Sequence, residues 1–314
     1  MPEILQSLVW IVIFPGFLFT ACLGLLVCWL VRKVSALVQW RVGPPLLQPF
    51  YDIIKLMGKE ILVPQEAQRA VFFAAPLAGM AGVLLLSTML WRITLDQSAF
   101  VGDVIVAIYL MVLPSLALIL GSSASASPHA AIGTSREMKL VMSYELPLVL
   151  AFIVVIIKSG GQLDLAAIAA QRPVLSISGL LAFLVSLLCI QAKLGFVPFD
   201  MAEAETELAS GVLVEYSGAL LAVWKVMQAM MLVVLPLFLV MIFLGGFGVS
   251  LWSGLLAGIG KYVLIVVLLI LIKNTNPRVR IDQAMKFFWV YCGIALVVAV
   301  LLAIIGNSYG IAWL

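Results

Sequence analysis

The sequence predicts an all-α polytopic membrane protein, and three features of composition and patterning lead to that prediction. Apolar residues make up 64% of the 314 residues, charged residues make up only 11%, and the mean hydropathy is +1.22. A typical soluble domain carries about 45–50% apolar and about 25% charged residues. The apolar residues also fall into runs of about 20, the length that crosses a bilayer as an α-helix. A soluble globular protein is therefore excluded.

Eight such runs are present, and we expect each to form a transmembrane helix of one integral membrane domain covering residues 1–314. The runs are 4–31, 70–91, 101–121, 140–158, 174–192, 217–246, 255–273 and 287–306. Loops at about 32–69, 122–139, 193–216 and 274–286, with Lys273 at the edge of the last, hold 13 of the 18 Lys and Arg residues. The positive-inside rule places these loops in the cytoplasm and both termini outside the cell membrane.

Charge and cysteine usage limit the functions open to the chain. The net charge of +3 is too small to suggest a nucleic-acid partner. The four cysteines lie inside apolar runs, and none has the spacing of a metal or redox site. We therefore expect the chain to bind the lipid bilayer and to hold no metal or cofactor of its own.

The first cytoplasmic loop predicts a short amphipathic helix after an irregular segment. Arg41-Val42-Gly43-Pro44-Pro45 cannot form a regular helix because proline and glycine interrupt it. From Pro49 onward, apolar residues recur at helical spacing at Phe50, Ile53, Ile54 and Met57, which is typical of a helix at the membrane interface. Such a helix is either a surface anchor or the wall of an entrance or partner site.

The third cytoplasmic loop is the most acidic part of the sequence. Its carboxylates are Asp200, Glu203, Glu205, Glu207 and Glu215. If the segment is helical from Pro198, three of them share one face. Clustered carboxylates raise one another's pKa, so some could exchange protons near neutral pH. A solvated acidic loop that binds counterions or a basic partner is the alternative.

Three further charges, Asp103, Glu145 and Lys225, fall within or near the spans. A charge at mid-bilayer costs about 2.5–3.5 kcal/mol on insertion scales, so each is a candidate for a proton or ion relay. Pro147 follows Glu145 and predicts a bend that can admit water. Lys225 is expected to pair with a buried acid, Glu145 or Glu215, and a purely structural ion pair is its alternative. Asp103 could equally be a helix cap.

Three motifs, in the same order along the chain, resemble the complex I subunit at the heel of the membrane arm, known as the NADH dehydrogenase 1 or H type. They are Arg41-Val42-Gly43-Pro44 with Gln48-Pro49 and Asp52-Ile53-Ile54-Lys55, then Ser143-Tyr144-Glu145, then Pro198-Phe199-Asp200-x-x-Glu203-Ala204-Glu205-x-Glu207-Leu208 with Glu215-Tyr216. The resemblance implies eight transmembrane helices with lateral amphipathic helices and a half-antiporter-like bundle. It also implies a coupling role, in which the chain joins a peripheral redox arm to antiporter-like membrane subunits.

The same resemblance implies roles for individual residues. The relay and coupling residues would be the five loop carboxylates together with Asp103, Glu145 and Lys225. The arm interface would include Arg41, Gly43, Pro44, Gln48, Asp52, Lys55, Arg136 and Tyr216.

Within the family, Ala131–Glu137 resembles the version found in energy-converting, membrane-bound [NiFe] hydrogenases and related ferredoxin-linked complexes. Quinone-reducing members commonly carry an arginine two places before Pro198, where this chain has Phe196, and Lys193 stands where an acid is common. Both departures count against quinone binding. We therefore expect a membrane-bound hydrogenase whose [NiFe] and iron–sulfur clusters belong to partners, namely hydrogenase-like large and small subunits and a ferredoxin-type subunit. The alternatives are the quinone-chamber component of respiratory complex I and a stand-alone ion or solute transporter.

Overall fold

The computed structural model describes residues 9–96, 99, 102–248, 252–311 and 313–314, and for Glu205 and Thr206 it describes the backbone alone. The α-helices in chain order are α1 Phe17–Val38, α2 Gln48–Met57, α3 Arg69–Asp96, α4 Asp103–Ser123, α5 Pro128–Lys158, α6 Leu165–Ala169, α7 Ile177–Lys193, α8 Glu205–Leu208, α9 Gly218–Phe243, α10 Trp252–Thr275, α11 Ile281–Lys286 and α12 Gly293–Tyr309. A π-helical segment, Phe287–Cys292, joins α11 to α12. No β-strand occurs among the described residues.

Each of the eight predicted runs overlaps one of these helices, while residues 4–8 of the first run and residue 101 of the third lie outside the described residues. Seven helical segments are long and apolar enough to cross a membrane: α1 with the helical turn before it, α3, α4, α5, α9, α10 and the continuous run from α11 to α12. The fifth predicted run forms α7, which has 17 residues and is therefore about 25 Å long. The prediction of an all-α, multi-pass membrane fold is confirmed.

The second predicted loop, 122–139, is largely helical, and the prediction of a loop there is wrong. Helix α5 begins at Pro128 and has 31 residues, or about 46 Å, so it extends beyond a hydrocarbon core of about 30 Å. Proline is favourable at a first helical position, where its missing N–H needs no partner. Gly133 and Thr134 are buried where this extension packs against the 3₁₀ turn Gly211–Leu213.

Helix α9 forms the centre of the bundle. In its most apolar stretch 89% of the residues are buried, against 28% for α10, because α9 packs against α1, α3, α7 and α10. The approach of α1 is close enough to require glycine, since a Cβ at Gly24 would lie 2.4 Å from the carbonyl oxygen of Ala229. Helix α2 lies against α1 and α9. Polar side chains near one end of α9 are therefore enclosed by several elements at once.

Candidate functional site

The acidic loop follows α7 in an irregular path rather than as a helix. Gly195 takes a φ of +62°, a conformation that favours glycine, directly after α7 ends at Lys193. The amide of Gln191 donates to the carbonyl of Val197 at 2.7 Å, and the backbone N–H of Val279 donates to the carbonyl of Pro198 at 3.1 Å. Because these carbonyls are engaged outside any helix, the shared helical face considered for Asp200, Glu203 and Glu207 does not form.

Lys193 and Glu145 form an ion pair inside the bundle. The Lys193 ammonium lies 2.5 Å from Glu145 Oε1 and donates to the carbonyl of Met111 at 3.0 Å. The side chain of Lys193 is fully buried, while that of Glu145 is 19% exposed. The ammonium also lies 5.3 Å from the centre of the Tyr144 ring. The expectation that Lys193 lies in a loop is therefore wrong, and so is the expectation that Lys225 pairs with Glu145 or Glu215, since Lys225 forms an ion pair with neither.

Lys225 instead belongs to a three-membered hydrogen-bonded chain. Its ammonium donates to Oε1 of Gln228 at 3.1 Å, and Nε2 of Gln228 donates to Oε1 of Glu203 at 2.5 Å. Lys225 and Gln228 lie three residues apart on α9, so they share one face of that helix. A neutral amide thus connects a cation on the central helix to a carboxylate of the acidic loop.

Lys193, Glu203 and Gln228 line one inner cavity. Its charged and amide side chains come from α5, α7, the acidic loop and α9, and are Glu137, Lys193, Asp200, Glu203 and Gln228. Pro114 and the polar residue Ser115, both of α4, complete the wall. The cavity therefore brings two predicted relay residues, Asp200 and Glu203, together with three groups that were not predicted to be relay residues.

An outer cleft of about 1300 Å³ lies on the other side of the same loop wall. It shares Asp200, Glu203 and Gln228 with the inner cavity, and apolar side chains of α1, α2 and α9 form much of the rest. Ion pairs at its rim join Arg32 to Asp52 at 3.1 Å and Arg278 to Asp200 at 2.9 Å. The two cavities are therefore adjacent and have three polar side chains in common.

Helix α2 is amphipathic, as predicted, but the side chains that face the rest of the protein are only partly the apolar ones expected from the sequence. Pro49, Asp52, Ile53 and Leu56 line the outer cleft, and Ile54 and Met57 are exposed on the opposite side. Gln48 holds the inward carboxylate, donating to Asp52 at 2.9 Å, whereas Lys55 is exposed. Of the two alternatives left open for this helix, its contacts favour the wall of an entrance.

Arg136 and Glu207 form a surface ion pair beside the acidic loop. Their side chains are 2.6 Å apart, and Arg136 also reaches the carbonyl of Met201 at 3.4 Å. The hydrogen bond from the guanidinium lowers the pKa of Glu207 below the usual value of 4.5. The pair ties α8 to the extension of α5.

Several predicted site residues lie elsewhere. Asp103 is buried at the start of α4, roughly 16 Å along the helix from Pro114, and does not line either cavity.

Tyr216, expected at an arm interface, is buried. Its ring stacks on Phe72 at 4.2 Å and its hydroxyl donates to the Phe72 carbonyl, so it packs under the loop. Glu215 is half-buried and lines neither cavity. The side chain of Glu205 lies outside the described part.

The Arg41–Pro44 segment follows the end of α1. Gly43 has a φ of +73°, and the neighbouring Val42 carbonyl accepts a hydrogen bond from Lys33 at 2.6 Å. Trp29 of α1 donates to the carbonyl of Pro44 at 3.2 Å. Arg41 itself is exposed.

In the part of the chain that the structure describes, no group of three or more His, Cys, Asp or Glu side chains could hold a metal ion.

Comparisons with known proteins agree on one family. The family model for NADH dehydrogenase matches residues 9–304. The H-type subunit of the NADH-quinone oxidoreductase of Dehalococcoides mccartyi strain ATCC BAA-2266 is 32% identical over 292 residues, covering 90% of this chain and 81% of the relative. The corresponding H-type subunit from Syntrophotalea carbinolica is 35% identical, covering 82% and 83%. Among solved structures, this chain superposes on a chain of the membrane-bound sulfane sulfur reductase, an archaeal respiratory membrane complex, with a TM-score of 0.84. The two chains are 25% identical, and the match covers 96% of this chain and 100% of the other.

Proposed function

Since the chain belongs to the NADH dehydrogenase family, in its 1 or H type, we propose that it is the coupling subunit of a redox-driven, ion-translocating membrane complex. In this role it holds a peripheral arm, which carries the iron–sulfur and [NiFe] chemistry, against antiporter-like membrane subunits. The chain supplies no catalytic group of its own. It passes a change of charge or geometry from the acidic loop into the membrane interior.

The observation that carries this proposal is the continuity of charge from the loop to the middle of the bundle. At the surface end, Asp200 pairs with Arg278, and Glu203 beside it is bonded through Gln228 to Lys225. At the inner end, Lys193 lines the same cavity and holds Glu145. Because both ends line one cavity, a change of charge at the loop acts on the inner pair across a short distance.

The mechanism uses the strength of charge interactions away from water. Two unit charges about 4 Å apart interact by about 4 kcal/mol at an effective dielectric constant of 20. A pKa unit corresponds to about 1.4 kcal/mol, so a change at Glu203 of that size shifts the pKa of neighbouring groups by several units. A change in the charge of the cavity acts on the Lys193 ammonium and so strengthens or weakens its ion pair with Glu145. Whether Glu145 is ionised or protonated then biases ion movement along the membrane.

Two side chains support a peripheral arm of the hydrogenase or sulfur-reducing type over an arm that reduces quinone. Phe196 occupies the outer cleft wall, with the Lys273 ammonium 4.5 Å from its ring centre, at the position where quinone-reducing members commonly carry arginine. Lys193 replaces an acid at the inner cavity, so the relay here contains a fixed cation. The high structural similarity to a chain of a sulfane sulfur reductase complex supports the same choice.

The quinone-chamber component of respiratory complex I is the second candidate, and one observation favours it. The outer cleft is large, and apolar residues of α1, α2 and α9 make up much of its wall, as in sites that bind an apolar ligand through a few polar groups. The relatives with similar sequences are also named as subunits of NADH-quinone oxidoreductases.

The composition and inhibitor response of the purified complex distinguish these functions. We expect nickel in near-stoichiometric amount and turnover that is insensitive to quinone-site inhibitors. The variant Phe196→Arg, which restores the residue common in quinone-reducing members, should not create inhibitor sensitivity by itself. Inhibition of the wild-type complex, with no nickel present, would establish the quinone-chamber function instead. Ion flux from the chain alone in liposomes would establish a stand-alone transporter.

A further inference from the structure

A basic groove lies where the C-terminal ends of α1 and α10 meet, next to the outer cleft. Its lining includes the cations Arg32, Arg41 and Lys273 and the neutral polar residues Ser35, Gln39 and Asn274. Among the described residues that line it there is no Asp or Glu. The groove therefore has a net charge of +3 in a chain whose total is +3.

Hydrogen bonds between the two helices fix the floor of the groove. Nδ2 of Asn274 donates to the Ser35 hydroxyl at 3.2 Å, and the amide of Gln39 donates to Oδ1 of Asn274 at 3.4 Å. Both helices are spanning segments that end here, at Val38 and Thr275. The groove is thus held in place at the depth where a hydrocarbon core gives way to lipid headgroups.

Two of the three cations form no ion pair with a described residue, although Lys273 still interacts with Asp200 at longer range. Arg32 is paired with Asp52, but neither Arg41 nor Lys273 forms an ion pair with a described residue. Lys273 rests on the Phe196 ring, a contact that holds the ammonium without neutralising it. A guanidinium and an ammonium at one site suit a phosphate group, which the guanidinium can bind through two parallel hydrogen bonds.

The surroundings of the groove are apolar and exposed. Leu37 and Val38 on α1 are 58% and 50% exposed, and Leu271 on α10 is 46% exposed. Leu37 and Val38 lie within two helical turns of Arg32, and Leu271 lies two residues from Lys273, so a lipid whose headgroup reaches the groove can place its acyl chains against them. A soluble anion would gain nothing from them, whereas a phospholipid contacts the basic groove and the apolar flank at once.

We propose that this groove binds the headgroup phosphate of an anionic phospholipid, whose acyl chains lie along the exposed flank of α1 and α10. The lipid neutralises Arg41 and Lys273 and joins two spanning helices at one membrane surface. Because the groove shares Arg32 and Lys273 with the outer cleft, the lipid also closes the cleft on this side.

Native mass spectrometry of the purified, delipidated complex tests the proposal by titration with phosphatidylglycerol and with phosphatidylcholine of the same acyl chains. We expect saturable, tighter binding of phosphatidylglycerol, weakened about tenfold by Arg41→Gln or Lys273→Gln. Lys273→Arg keeps the charge and should retain binding. Lys139→Gln, which removes an exposed lysine of α5 outside the groove, is the matched control and should leave affinity unchanged.

Three outcomes would overturn the proposal. Equal affinity for the two lipids would mean that the flank binds acyl chains without a phosphate site. Displacement of phosphatidylglycerol by inorganic phosphate at similar concentration would identify a soluble anion as the ligand. Loss of co-purifying subunits from Arg41→Gln or Lys273→Gln, with lipid affinity unchanged, would identify an acidic protein surface as the occupant, the role that the family resemblance gives Arg41.

Discussion

The ammonium of Lys193 lies 2.5 Å from Oε1 of Glu145 inside the bundle, although the two residues are 48 positions apart in the sequence. Lys193 ends the short helix α7, and Glu145 lies in the middle of α5, beside Tyr144. Lys193 lines the inner cavity, and so do Glu203 and Gln228, two members of the hydrogen-bonded chain that begins at the acidic loop. Substitutions in the pair and in that chain should therefore affect both stability and coupling.

Removing the cation of this pair should destabilise the protein. In Lys193→Met the Glu145 carboxylate loses its buried partner, and breaking a buried ion pair in this way costs about 3–5 kcal/mol. We expect the low end of that range because Glu145 is partly exposed. Thermal unfolding of the purified complex should show a lower Tm for Lys193→Met and an unchanged Tm for Lys139→Met, which alters an exposed lysine.

The double variant Lys193→Met, Glu145→Leu distinguishes the cost of an unpaired charge from the cost of altered packing. Replacing both members of a buried ion pair by apolar residues is often neutral or stabilising. Most of the Tm lost in the single variant should therefore return, while ion translocation should remain impaired because both charges are missing. A double variant as unstable as the single one would show that packing, and not the unpaired charge, causes the loss.

Gln228 should connect the loop to α9 without itself exchanging a proton. Gln228→Leu removes both hydrogen bonds to Lys225 and Glu203, and we expect about tenfold slower coupled turnover in an assembled complex. Gln228→Glu places a second carboxylate between the Lys225 ammonium and Glu203, and the added charge should change the pH dependence of turnover. Gln68→Leu, an exposed glutamine on neither cavity, is the control. Normal rates and an unshifted pH profile in both variants would exclude the bridging role.

The surface pair of Arg136 and Glu207 should be insensitive to pH across the neutral range. The pKa of Glu207 is lower in the folded protein than in the unfolded chain, so the contact is present above 4.5 and is lost as the pH falls through the lowered value. Hydrogen exchange of residues 199–216, corrected for intrinsic rates, should be constant from neutral pH to about 5 and rise in more acidic solution. Arg136→Gln should show the higher exchange at neutral pH already.

Hydropathy was sufficient to predict the long apolar helices, since runs of apolar residues must lie in lipid or in the bundle core, but it did not predict the extension of α5 or the short helices between the spans. It could not predict the burial of Lys193, because a lysine directly after an apolar run is typical of the start of a loop. What buries it are contacts with Met111 and Glu145, which lie 82 and 48 residues away along the chain. The one signal in the sequence was the unusual lysine itself, at a position where relatives commonly have an acid.

Gln228 was missed for a different reason, although a signal for it exists. The side-chain amide of glutamine is neutral, so a pattern of ionisable residues does not include it. Yet a glutamine three residues after Lys225 in the same span shares a helix face with it, and a polar pair inside a spanning helix favours function. The irregular path of the acidic loop was less accessible, because it depends on backbone partners such as Val279 that are distant in the sequence.

If charges held by this chain couple redox chemistry in its partners to ion movement, neutralising Glu145 must change the coupling itself. The decisive quantity is the number of ions translocated per electron by the complex in liposomes, measured for the wild type and for Glu145→Gln. Glutamine can still accept the hydrogen bond from Lys193, so the variant should assemble, and electron transfer with an uncoupler present should be close to normal. We expect the ratio of ions to electrons to fall severalfold. An unchanged ratio would refute the coupling role and leave Glu145 as a structural partner of Lys193.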